Sequence, residues 1–495
     1  MNTQTKGGKF IAGLVLLSAQ FALAASPTNT PVRFEDATEA LRLAIAGESA
    51  CWADFDNDGW VDLCAGGSVW RNAAGKHFTK FTPTDFGRAI AADFDNDGFT
   101  DLFSFSQMKL WRNNDNGGFT EVALPPLPKT VARGACWADF NGDGFVDLYI
   151  GGYEDWDANI TYPSLVLTNA GGTSFGLAYT DSRYRARGVT ACDFNHDGYM
   201  DVYVSNYRLR PNLLLLGNPK HEWIDAARTF NAVATSPGFD GGHSIGACWG
   251  DFDNDGEFDL FAGNFAHVDQ RGDQPKSRFL RNRGAWHRYH FEDRGTCGIA
   301  YQESYASPAA ADYDNDGKLD LFFTTVYAVA SFRTENFPVL LHNDGKFKFS
   351  AATDAAGLAC LGPTYQAAWA DFDHDGDLDL VTSGKHFRNQ ASARHWLEIR
   401  LRGDGKVVNR SAIGAQVRIK SEAGVLTRQV EAGTGEGNQN DLTLHFGLGN
   451  DTQTVTLEVL WPNAKRQTIK KVAVDQLIEI GFGEKSGARP NGTAN

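Results

Sequence analysis

The sequence predicts an all-β protein, with a seven-bladed β-propeller over residues 30–392 and a small β-sandwich domain over 394–482. Three observations lead to this fold class. An acidic motif recurs seven times, and each copy lies between short apolar strands. The chain contains 53 Gly, 34 Phe and 12 Trp, a composition typical of many turns and short strands. After the last motif, the pattern changes to alternating apolar and polar residues.

The first 24 residues have the pattern of a secretory signal peptide. Lys6 and Lys9 precede an apolar run that starts at Phe10, and Ala22-Leu23-Ala24 offers a cleavage site. The run is shorter than the ~20 apolar residues that a membrane-spanning helix needs. We therefore expect a secreted protein, extracellular or periplasmic, with no transmembrane segment. Residues 483–495 are rich in Gly, Pro and Asn and are predicted to form a disordered tail.

The repeat is the motif Asp-x-Asp/Asn-x-Asp-Gly-x-x-Asp, followed by Leu or Val. Successive copies lie 39, 46, 54, 58, 61 and 59 residues apart, which is typical of one supersecondary unit per repeat. The seven copies begin at Asp54, Asp93, Asp139, Asp193, Asp251, Asp312 and Asp371.

Each repeat also has a pattern of four short strands, which predicts one propeller blade. A strand of small residues precedes the acidic loop, and we expect it to line the crowded centre of the ring. The third strand ends near Asn, as in Val69-Trp70-Arg71-Asn72, and the fourth is built on Phe. The last repeat lacks a fourth strand, but residues 32–38 have its pattern. We predict that this N-terminal strand closes the ring and removes the open sheet edges.

The acidic loop has the ligand pattern of a calcium site. Carboxylates at positions 1, 3, 5 and 9 can converge on one ion, Gly at position 6 permits the turn, and position 7 can offer its carbonyl oxygen. Magnesium would prefer a tighter octahedron with retained water, and zinc would prefer His or Cys. We expect about seven Ca²⁺ ions, one per loop. The candidate ligands are Asp54, Asp56, Asp58, Trp60 and Asp62; Asp93, Asp95, Asp97, Phe99 and Asp101; Asp139, Asn141, Asp143, Phe145 and Asp147; Asp193, Asn195, Asp197, Tyr199 and Asp201; Asp251, Asp253, Asp255, Glu257 and Asp259; Asp312, Asp314, Asp316, Lys318 and Asp320; Asp371, Asp373, Asp375, Asp377 and Asp379.

Two details of these loops carry further expectations. Loops three and four have Asn141 and Asn195 at position 3, so each lacks one charge, and weaker calcium binding there is a hypothesis. His196 and His374 occupy position 4, where we expect surface side chains that point away from the ion.

The seven cysteines leave at least one unpaired in an exported protein. Cys51, Cys136 and Cys248 occupy the same place in three repeats and are predicted to be buried. Cys51–Cys64 and Cys297–Cys360 are conceivable disulfides.

The Asp-Phe-Asp-Asn-Asp-Gly-x-x-Asp repeats resemble FG-GAP/VCBS repeats, known from integrin α-subunit propellers and many exported bacterial proteins. Asn409-Arg410-Ser411-Ala412-Ile413-Gly414-Ala415, His445-Phe446-Gly447-Leu448-Gly449 and Val459-Leu460-Trp461-Pro462 resemble the ASPIC/UnbV domain. The two together are similar to the cartilage acidic protein family. This resemblance implies an extracellular calcium-binding propeller whose ligands match the positions given above, and it supplies no catalytic residues.

The charge balance narrows the possible functions. The chain has 46 basic and 61 acidic side chains, which argues against nucleic acid as a partner. Five loops with four carboxylates and two with three account for 26 of the 61 acids. Removing Lys6 and Lys9 takes the net charge from -15 to -17, and seven Ca²⁺ ions would bring it to about -3.

We expect a non-catalytic binding, adhesion or scaffold protein, a monomer, that presents a propeller face to a protein or glycan. The contact face is expected near Trp156, Tyr162, Tyr184, Tyr207 and Trp223. The alternative is a polysaccharide lyase or hydrolase built on the propeller, which would need a His, Tyr or paired-carboxylate cluster in a pocket. The segment 242–246 matches the G-x-S-x-G elbow of serine hydrolases, but it leads into an antiparallel strand.

Overall fold

The computed structural model describes Met1 and residues 32–115, 118–220, 222–269, 272–329, 335–390, 394–421, 423–450, 454–484 and 489–490. The predicted signal peptide, apart from Met1, lies outside the described residues. No helix in the described part of the chain is long and apolar enough to cross a membrane.

The first part of the described chain folds into seven four-stranded antiparallel sheets, the blades, and β1 (Phe34–Asp36) belongs to the last of them. Blade 1 contains β2 (Ala50–Ala53), β3 (Asp62–Ala65), β4 (Ser68–Asn72) and β5 (Phe78–Lys80), and blade 2 contains β6 (Ala89–Ala92), β7 (Asp101–Ser104), β8 (Lys109–Asn113) and β9 (Phe119–Val122). Blade 3 contains β10 (Ala132–Ala138), β11 (Asp147–Gly152), β14 (Ser164–Asn169) and β15 (Phe175–Asp181), with the hairpin β12 (Glu154–Asp155) and β13 (Ile160–Thr161) inserted.

The remaining blades follow the same order. Blade 4 contains β16 (Ala186–Cys192), β17 (Asp201–Asn206), β18 (Leu213–Leu216) and β19 (Ile224–Asp225). Blade 5 contains β20 (His243–Gly250), β21 (Asp259–Phe265), β24 (Arg278–Asn282) and β25 (Phe291–Gly295), with the hairpin β22 (Val268–Asp269) and β23 (Gly272–Asp273) and a 3₁₀ turn at Ala285–His287. Blade 6 contains β26 (Tyr305–Ala311), β27 (Asp320–Thr325), β28 (Val339–Asn343) and β29 (Phe349–Ala351), and blade 7 contains β30 (Ala367–Ala370), β31 (Asp379–Thr382), β32 (Lys385–Asn389) and β1.

The ring closes as the sequence predicts. β1 pairs antiparallel with β32, with Phe34 opposite Asn389, so the N-terminal strand completes blade 7. Each inner strand contacts the inner strand of the next blade, and β30 contacts β2. The inner strands are built from small residues because the centre is crowded. A Cβ on Gly188 would lie 2.4 Å from the carbonyl oxygen of Gly435.

The C-terminal segment forms two further four-stranded sheets. The strands are β33 (His395–Arg402), β34 (Gln416–Ser421), β35 (Gly424–Gln429), β36 (Leu444–Gly449), β37 (Val455–Leu460), β38 (Arg466–Val472), β39 (Leu477–Gly481) and β40 (Arg489–Pro490). One sheet has the order β36-β33-β39-β40 and the other β35-β34-β37-β38, and β33 runs parallel to β39.

The sequence reading missed β38, in which only Ile469 and Val472 are buried, so the apolar alternation is weak. Within the predicted tail 483–495, Arg489–Pro490 pairs with Ile478 and Glu479, while residues 485–488 and 491–495 lie outside the described residues.

The C-terminal sheets and the propeller share one buried apolar cluster. It contains Leu397, Ile419 and Ile478 of the C-terminal sheets together with Phe105 and Trp137 of blades 2 and 3. Val32–Asn495 accordingly forms one compact unit. All seven cysteines are free, so neither conceivable disulfide forms, and Cys51, Cys136 and Cys248 are buried as predicted.

Candidate functional site

The seven acidic loops share one backbone geometry. In every loop the position 1 carboxylate accepts a hydrogen bond from the backbone N–H of the position 6 glycine, as Asp54 does from Gly59 at 3.0 Å and Asp371 from Gly376 at 2.8 Å. The position 5 carboxylate accepts one from the N–H of position 7, as Asp58 does from Trp60 at 2.9 Å. The position 6 glycines have φ between 87° and 99°, a left-handed conformation that favours glycine. These bonds curl each loop so that its carboxylates converge.

Several of these loops bring their carboxylates close enough to hold a metal ion. Ligand oxygens lie within 4.8 Å of one another in the groups Asp54/Asp56/Asp58, Asp93/Asp95/Asp101, Asp251/Asp253/Asp255 and Asp312/Asp314/Asp320. Some of the oxygens in the loops are buried and have no hydrogen-bond partner among the described residues: Oδ1 of Asp54, Asp253 and Asp373, and Oδ2 of Asp201 and Asp379. A buried carboxylate oxygen without a partner is costly, so these orphaned atoms fit a cation.

Burial raises the pKa of the loop carboxylates, and neighbouring carboxylates add to the effect. At position 1, the pKa of Asp93 and Asp139 rises to about 6, and that of Asp312 to about 8. At position 9, the pKa of Asp101 rises to about 8 and that of Asp259 lies well above its usual range. Without a cation, the loops therefore hold carboxylates that resist ionisation.

The position 9 aspartate has a second role beyond the predicted one. It begins the second strand of each blade and is fully buried. In all seven blades its Oδ1 accepts a hydrogen bond from a backbone N–H at the end of the third strand. In blade 1 the donor is Asn72, the last residue of β4, at 2.7 Å, and in blade 4 it is Gly217, just after β18. In loops 1, 2, 3, 5 and 6 its Oδ2 accepts one from the N–H of position 2, as in Phe55 to Asp62 at 3.0 Å. This carboxylate ties the loop to the blade.

The asparagine that ends the third strand links neighbouring blades, a role that the sequence reading missed. In blade 2, Nδ2 of Asn113 donates to the carbonyl of Thr100 in its own loop at 3.1 Å and to that of Phe55 in the preceding loop at 2.7 Å. We call this arrangement the asparagine clamp. The same pair of bonds is made by Asn72, Asn113, Asn169, Asn282, Asn343 and Asn389. Blade 4 has Gly217 at this place.

In five blades the residue just before the clamp asparagine is basic and contacts the carboxylate at position 3 of the acidic loop. Arg71, Arg112 and Arg388 form ion pairs with Asp56, Asp95 and Asp373, and Arg281 lies 2.7 Å from Asp253. In blade 6, His342 lies 3.5 Å from Asp314, and hydrogen bonds to Asp314 and Asp316 raise its pKa to about 11.

Blades 3 and 4 have Thr168 and Leu216 at this place, and their loops have Asn141 and Asn195 at position 3. When only the carboxylates of positions 1, 3, 5 and 9 and this one third-strand residue are counted, four carboxylates with one cation and three carboxylates with none both give -3. Loops 3 and 4 lack one negative charge, which is the reason to expect weaker calcium binding there. They also lack the positive charge of the third-strand residue, and the two losses offset each other.

The side chain at position 4 connects six of the seven loops to the next one around the ring, and loop 3 has Gly142 at this place. Nδ2 of Asn57 donates to the carbonyl of Gly98 at 2.8 Å, and Asn96, Asn254 and Asn315 make the equivalent bond. His374 stacks on Trp60 with ring centroids 4.2 Å apart, which joins loop 7 to loop 1. His196 lies 2.9 Å from Glu257 of loop 5. Both histidines are half-buried contacts between loops rather than the surface residues that the sequence predicts.

The C-terminal domain covers the face of the propeller that carries these loops. The backbone N–H of Arg410 donates to Asn96 at 2.7 Å, Val425 to the carbonyl of Asn254 at 2.9 Å, and Gly449 to that of Asn315 at 2.9 Å. Arg400 lies 3.6 Å from Asp54. The candidate metal loops are therefore sandwiched between the blades and the C-terminal domain.

A glycine-rich loop of the C-terminal domain, residues 431–441, enters the central channel, and we call it the plug. Its residues hydrogen-bond to the inner strands of all seven blades, which leaves fewer channel backbone groups without a partner. In blade 1, Gln439 N–H donates to Ala50 at 2.9 Å, and in blade 2 the Gln439 side chain accepts from Ala91 at 2.9 Å. The remaining bonds join Ala432 to Trp137, Gly435 to Val189 and Ala247, Glu436 and Asn438 to Ser307, and Asn438 and Asn440 to Ala367 and Trp369.

Comparison with known proteins agrees with the repeat and with the C-terminal module. Residues 93–150 match the FG-GAP-like repeat, and residues 405–487 match ASPIC and UnbV. The chain carries an FG-GAP-like repeat and an ASPIC and UnbV domain. It is also distantly homologous to cartilage acidic protein 1, with 26% identity over 71% of this chain to the protein of Mus musculus and 26% over 71% to that of Homo sapiens. The aligned region spans about half the length of these relatives, 55% and 53%.

Among solved structures, the chain is similar to BBS1N in complex with ARL6DN, with 9% identity, a TM-score of 0.42 and coverage of 72% of this chain and 98% of that chain. It is also similar to the Dos1 propeller, with 9% identity, a TM-score of 0.31 and coverage of 83% and 95%. At these scores the propeller assignment rests on the strand pairing described above.

Proposed function

We propose that the protein is an exported calcium-binding β-propeller that acts as a non-catalytic binding or scaffold protein for a protein or glycan. The observation that carries the calcium assignment is the set of orphaned, buried carboxylate oxygens inside loops of identical hydrogen bonding. Hard oxygen donors on a flexible loop suit Ca²⁺. The carboxylates of positions 1, 3, 5 and 9 and the carbonyl of position 7 would hold the ion, which would offset two of their negative charges.

The binding role is supported by a difference between the two faces of the propeller, of which one is covered and the other carries exposed aromatic side chains. The C-terminal domain covers the loop face, so we place the partner on the opposite face of the propeller. That face carries the connections between the second and third strands, including exposed aromatic side chains: Trp156 is 67%, Tyr327 55% and Phe337 47% exposed. Of the other aromatic residues predicted for the contact face, Tyr162 is buried, and Tyr184, Tyr207 and Trp223 are half-buried. Exposed aromatic residues of this kind are enriched at recognition surfaces. Export is supported by the N-terminal sequence pattern.

Calcium can be tested directly. Metal analysis of the protein purified without chelator should find about seven Ca²⁺ per chain. A protein that binds no calcium after dialysis against the ion would overturn the metal assignment.

The binding role needs a separate screen. Arrays of glycans and of cell-surface proteins, probed in the presence of calcium, should give a saturable ligand that is not chemically changed. Release of a cleaved or eliminated product from a polysaccharide would instead establish an enzyme. The segment 242–246 gives that outcome little support, because Ser244 lies buried in β20 with its hydroxyl 2.5 Å from Oδ1 of Asn264.

A further inference from the structure

Three arginines meet where the channel opens on the face opposite the acidic loops. Arg88, Arg133 and Arg187 lie at the start of the inner strands of blades 2, 3 and 4, at the end remote from the loops. We call these three residues the arginine mouth. An arginine cluster is unusual in a chain with 46 basic and 61 acidic residues, and guanidinium groups bind carboxylates through paired hydrogen bonds.

The deepest arginine already holds a carboxylate. Arg187 is buried, and its Nε and Nη2 lie 3.2 Å and 2.7 Å from Oε1 of Glu436 at the tip of the plug. The hydroxyl of Tyr365 lies 3.0 Å from the same Nη2. Glu436 thus shows that this geometry accommodates a carboxylate, but it belongs to the chain and occupies only the inner part of the mouth.

The two outer arginines have fewer carboxylate contacts, although Nη2 of Arg88 also donates to the carbonyl oxygen of Ala132 at 3.3 Å. Arg88 and Arg133 share one oxygen of Glu48, at 3.0 Å and 3.3 Å, and Arg133 lies a further 3.8 Å from Glu436. The Glu48 side chain is 50% exposed and that of Arg133 is 28% exposed. In the described part of the chain, the polar contacts of Arg133 run through Nη1 alone. A second carboxylate from solvent could therefore engage the remaining nitrogens of Arg133 and displace Glu48.

The walls of the mouth are aromatic faces. The Arg133 guanidinium lies 5.7 Å from the ring centre of Tyr153 and 5.9 Å from that of Tyr365, and the Arg187 guanidinium lies 5.0 Å and 5.2 Å from the same two centres. Farther out, Arg208 covers one face of Trp156 at 3.3 Å, and the Trp156 side chain remains largely exposed. Flat apolar faces beside a cation suit a ring with apolar C–H faces and an anionic group, which is the chemistry of an acidic sugar.

We propose that the arginine mouth binds a carboxylate-bearing saccharide, with a uronic acid carboxylate on Arg133 and Arg88 and a sugar ring against the exposed face of Trp156. This inference rests on the proposed binding function and specifies its ligand class and its face. The plug closes the inner end of the site, so the ligand occupies the mouth and does not enter the channel.

The test is calorimetric titration of the full-length protein, in calcium, with trigalacturonate, which is too short to form calcium-linked networks. The matched control ligand is its fully methyl-esterified form, which keeps the rings and loses the charges. We expect saturable binding of the acid, at least about tenfold weaker binding of the ester, and weaker binding as salt is raised.

Variants then locate the site. Arg133→Ala should weaken binding at least about tenfold, and Arg133→Lys should fall between this variant and the wild type because the charge remains but the fork is lost. Glu48→Gln should tighten binding several-fold, since it removes the competing carboxylate. Arg466→Ala, which alters an exposed arginine paired with Glu458 in the C-terminal domain, should leave binding unchanged. The melting temperature of each variant shows whether it is folded.

Three outcomes would overturn the inference: equal affinity for the ester, unchanged binding in Arg133→Ala, or tighter binding of triglutamate through the same arginine, which would make the ligand an acidic peptide. If the protein binds another ligand in the array screen but not trigalacturonate, this inference fails and the proposed function stands. If it binds nothing in that screen, the proposed function fails as well.

Discussion

The repeats of blades 3 and 4 differ from the other five, and the difference shows what each loop requires. Both sets fold the acidic loop with the same bonds from positions 6 and 7, for example Gly144 to Asp139 at 2.8 Å in blade 3 and Gly59 to Asp54 at 3.0 Å in blade 1. Where position 3 is Asp, a basic residue from the third strand contacts it, and where it is Asn, the basic residue is missing. Asp at position 3 and a basic third-strand residue therefore occur together, and loops 1 and 6 have further cations nearby in Arg400, Lys318 and Arg394.

Blade 4 departs further, because it also lacks the asparagine clamp. Gly217 supplies the backbone N–H that Asp201 needs, at 3.0 Å, but has no side chain to reach the carbonyl of Phe140 in blade 3. A Cβ at Gly217 would lie 2.3 Å from the carbonyl oxygen of Met200, so the local backbone leaves no room for one. The comparison separates two features of the repeat: the hydrogen-bonded acidic loop, which is common to all blades, and the blade-to-blade clamp, which blade 4 lacks.

Removal of calcium should have the largest effect, and it should act on both sets of loops. Each filled site adds about 2.7 kcal/mol when free calcium is 100 times the Kd, so loss of several ions should lower the melting temperature by at least about 10 °C. The measurement is thermal unfolding with and without EDTA, followed by re-addition of calcium or magnesium. Unchanged melting in EDTA would contradict a stabilising role for the loops.

The pH dependence of the calcium-free protein should have the next largest effect. Burial raises the pKa of Asp93 and Asp139 to about 6 and that of Asp101 to about 8, above the value of a free carboxyl group. A group whose pKa is raised on folding stabilises the protein below its unfolded pKa, and this stability is lost as pH rises through the folded pKa. The melting temperature in EDTA should therefore fall between pH 5 and pH 8.

With calcium present the trend should reverse over the same range, because protons compete with the ion for the carboxylates. A calcium-free protein that is more stable at pH 8 than at pH 5 would show that these carboxylates do not dominate its stability.

Removing a clamp should destabilise the protein by about 2–4 kcal/mol, because two buried carbonyl groups lose their donor. The test is Asn389→Ala, which leaves the carbonyls of Tyr313 and Leu378 without the Asn389 amide. The neighbouring exposed residue provides the control: Gln390→Ala should change the free energy of unfolding by less than about 0.5 kcal/mol. Chemical denaturation in excess calcium measures both. If the two variants changed the free energy of unfolding equally, the clamp would not contribute to stability, and its absence from blade 4 would have no cost.

Whether a feature can be predicted from the sequence depends on how many residues separate its interacting partners along the chain. The carboxylates of one loop lie within nine residues, so Asp54 to Asp62 can be recognised from spacing alone, and so can the closing strand near Phe34. The clamp is different, because Asn113 is visible in the sequence as a strand end but its acceptor, Phe55, is 58 residues away.

The plug could not be predicted for the same reason. Gln439 bonds to Ala91 across 348 residues, and the run of Gly, Thr, Glu, Asn and Gln at 433–440 has the composition of an ordinary surface loop. Its burial follows only from the docking of the C-terminal domain on the ring. A glycine-rich polar run flanked by buried strands is the one signal that could have suggested it.

The smallest effect is expected when the Asp253–Arg281 pair of blade 5 is converted into the Asn–Leu pair found in blade 4. This change tests whether the charges at position 3 and on the third strand together set the calcium affinity. Asp253→Asn in blade 5 leaves three carboxylates facing Arg281, and Arg281→Leu leaves four carboxylates without a third-strand cation. The double variant reproduces blade 4, which has Asn195 and Leu216. Because the Arg281 side chain is 29% exposed, its interaction is screened, and we expect each single change to shift calcium affinity at this site about five- to tenfold, roughly 1 kcal/mol, in opposite directions.

The double variant should bind with near wild-type affinity, and the coupling is read from a double-mutant cycle of melting temperature at limiting calcium. The matching change in blade 3, Asn141→Asp, should raise affinity because Thr168 supplies no cation to offset the added carboxylate. If the double variant binds as weakly as Asp253→Asn alone, the number of carboxylates sets the affinity, and loops 3 and 4 are the weak sites of the ring. If it recovers, the net charge sets the affinity, and the seven sites should fill over one narrow range of calcium concentration.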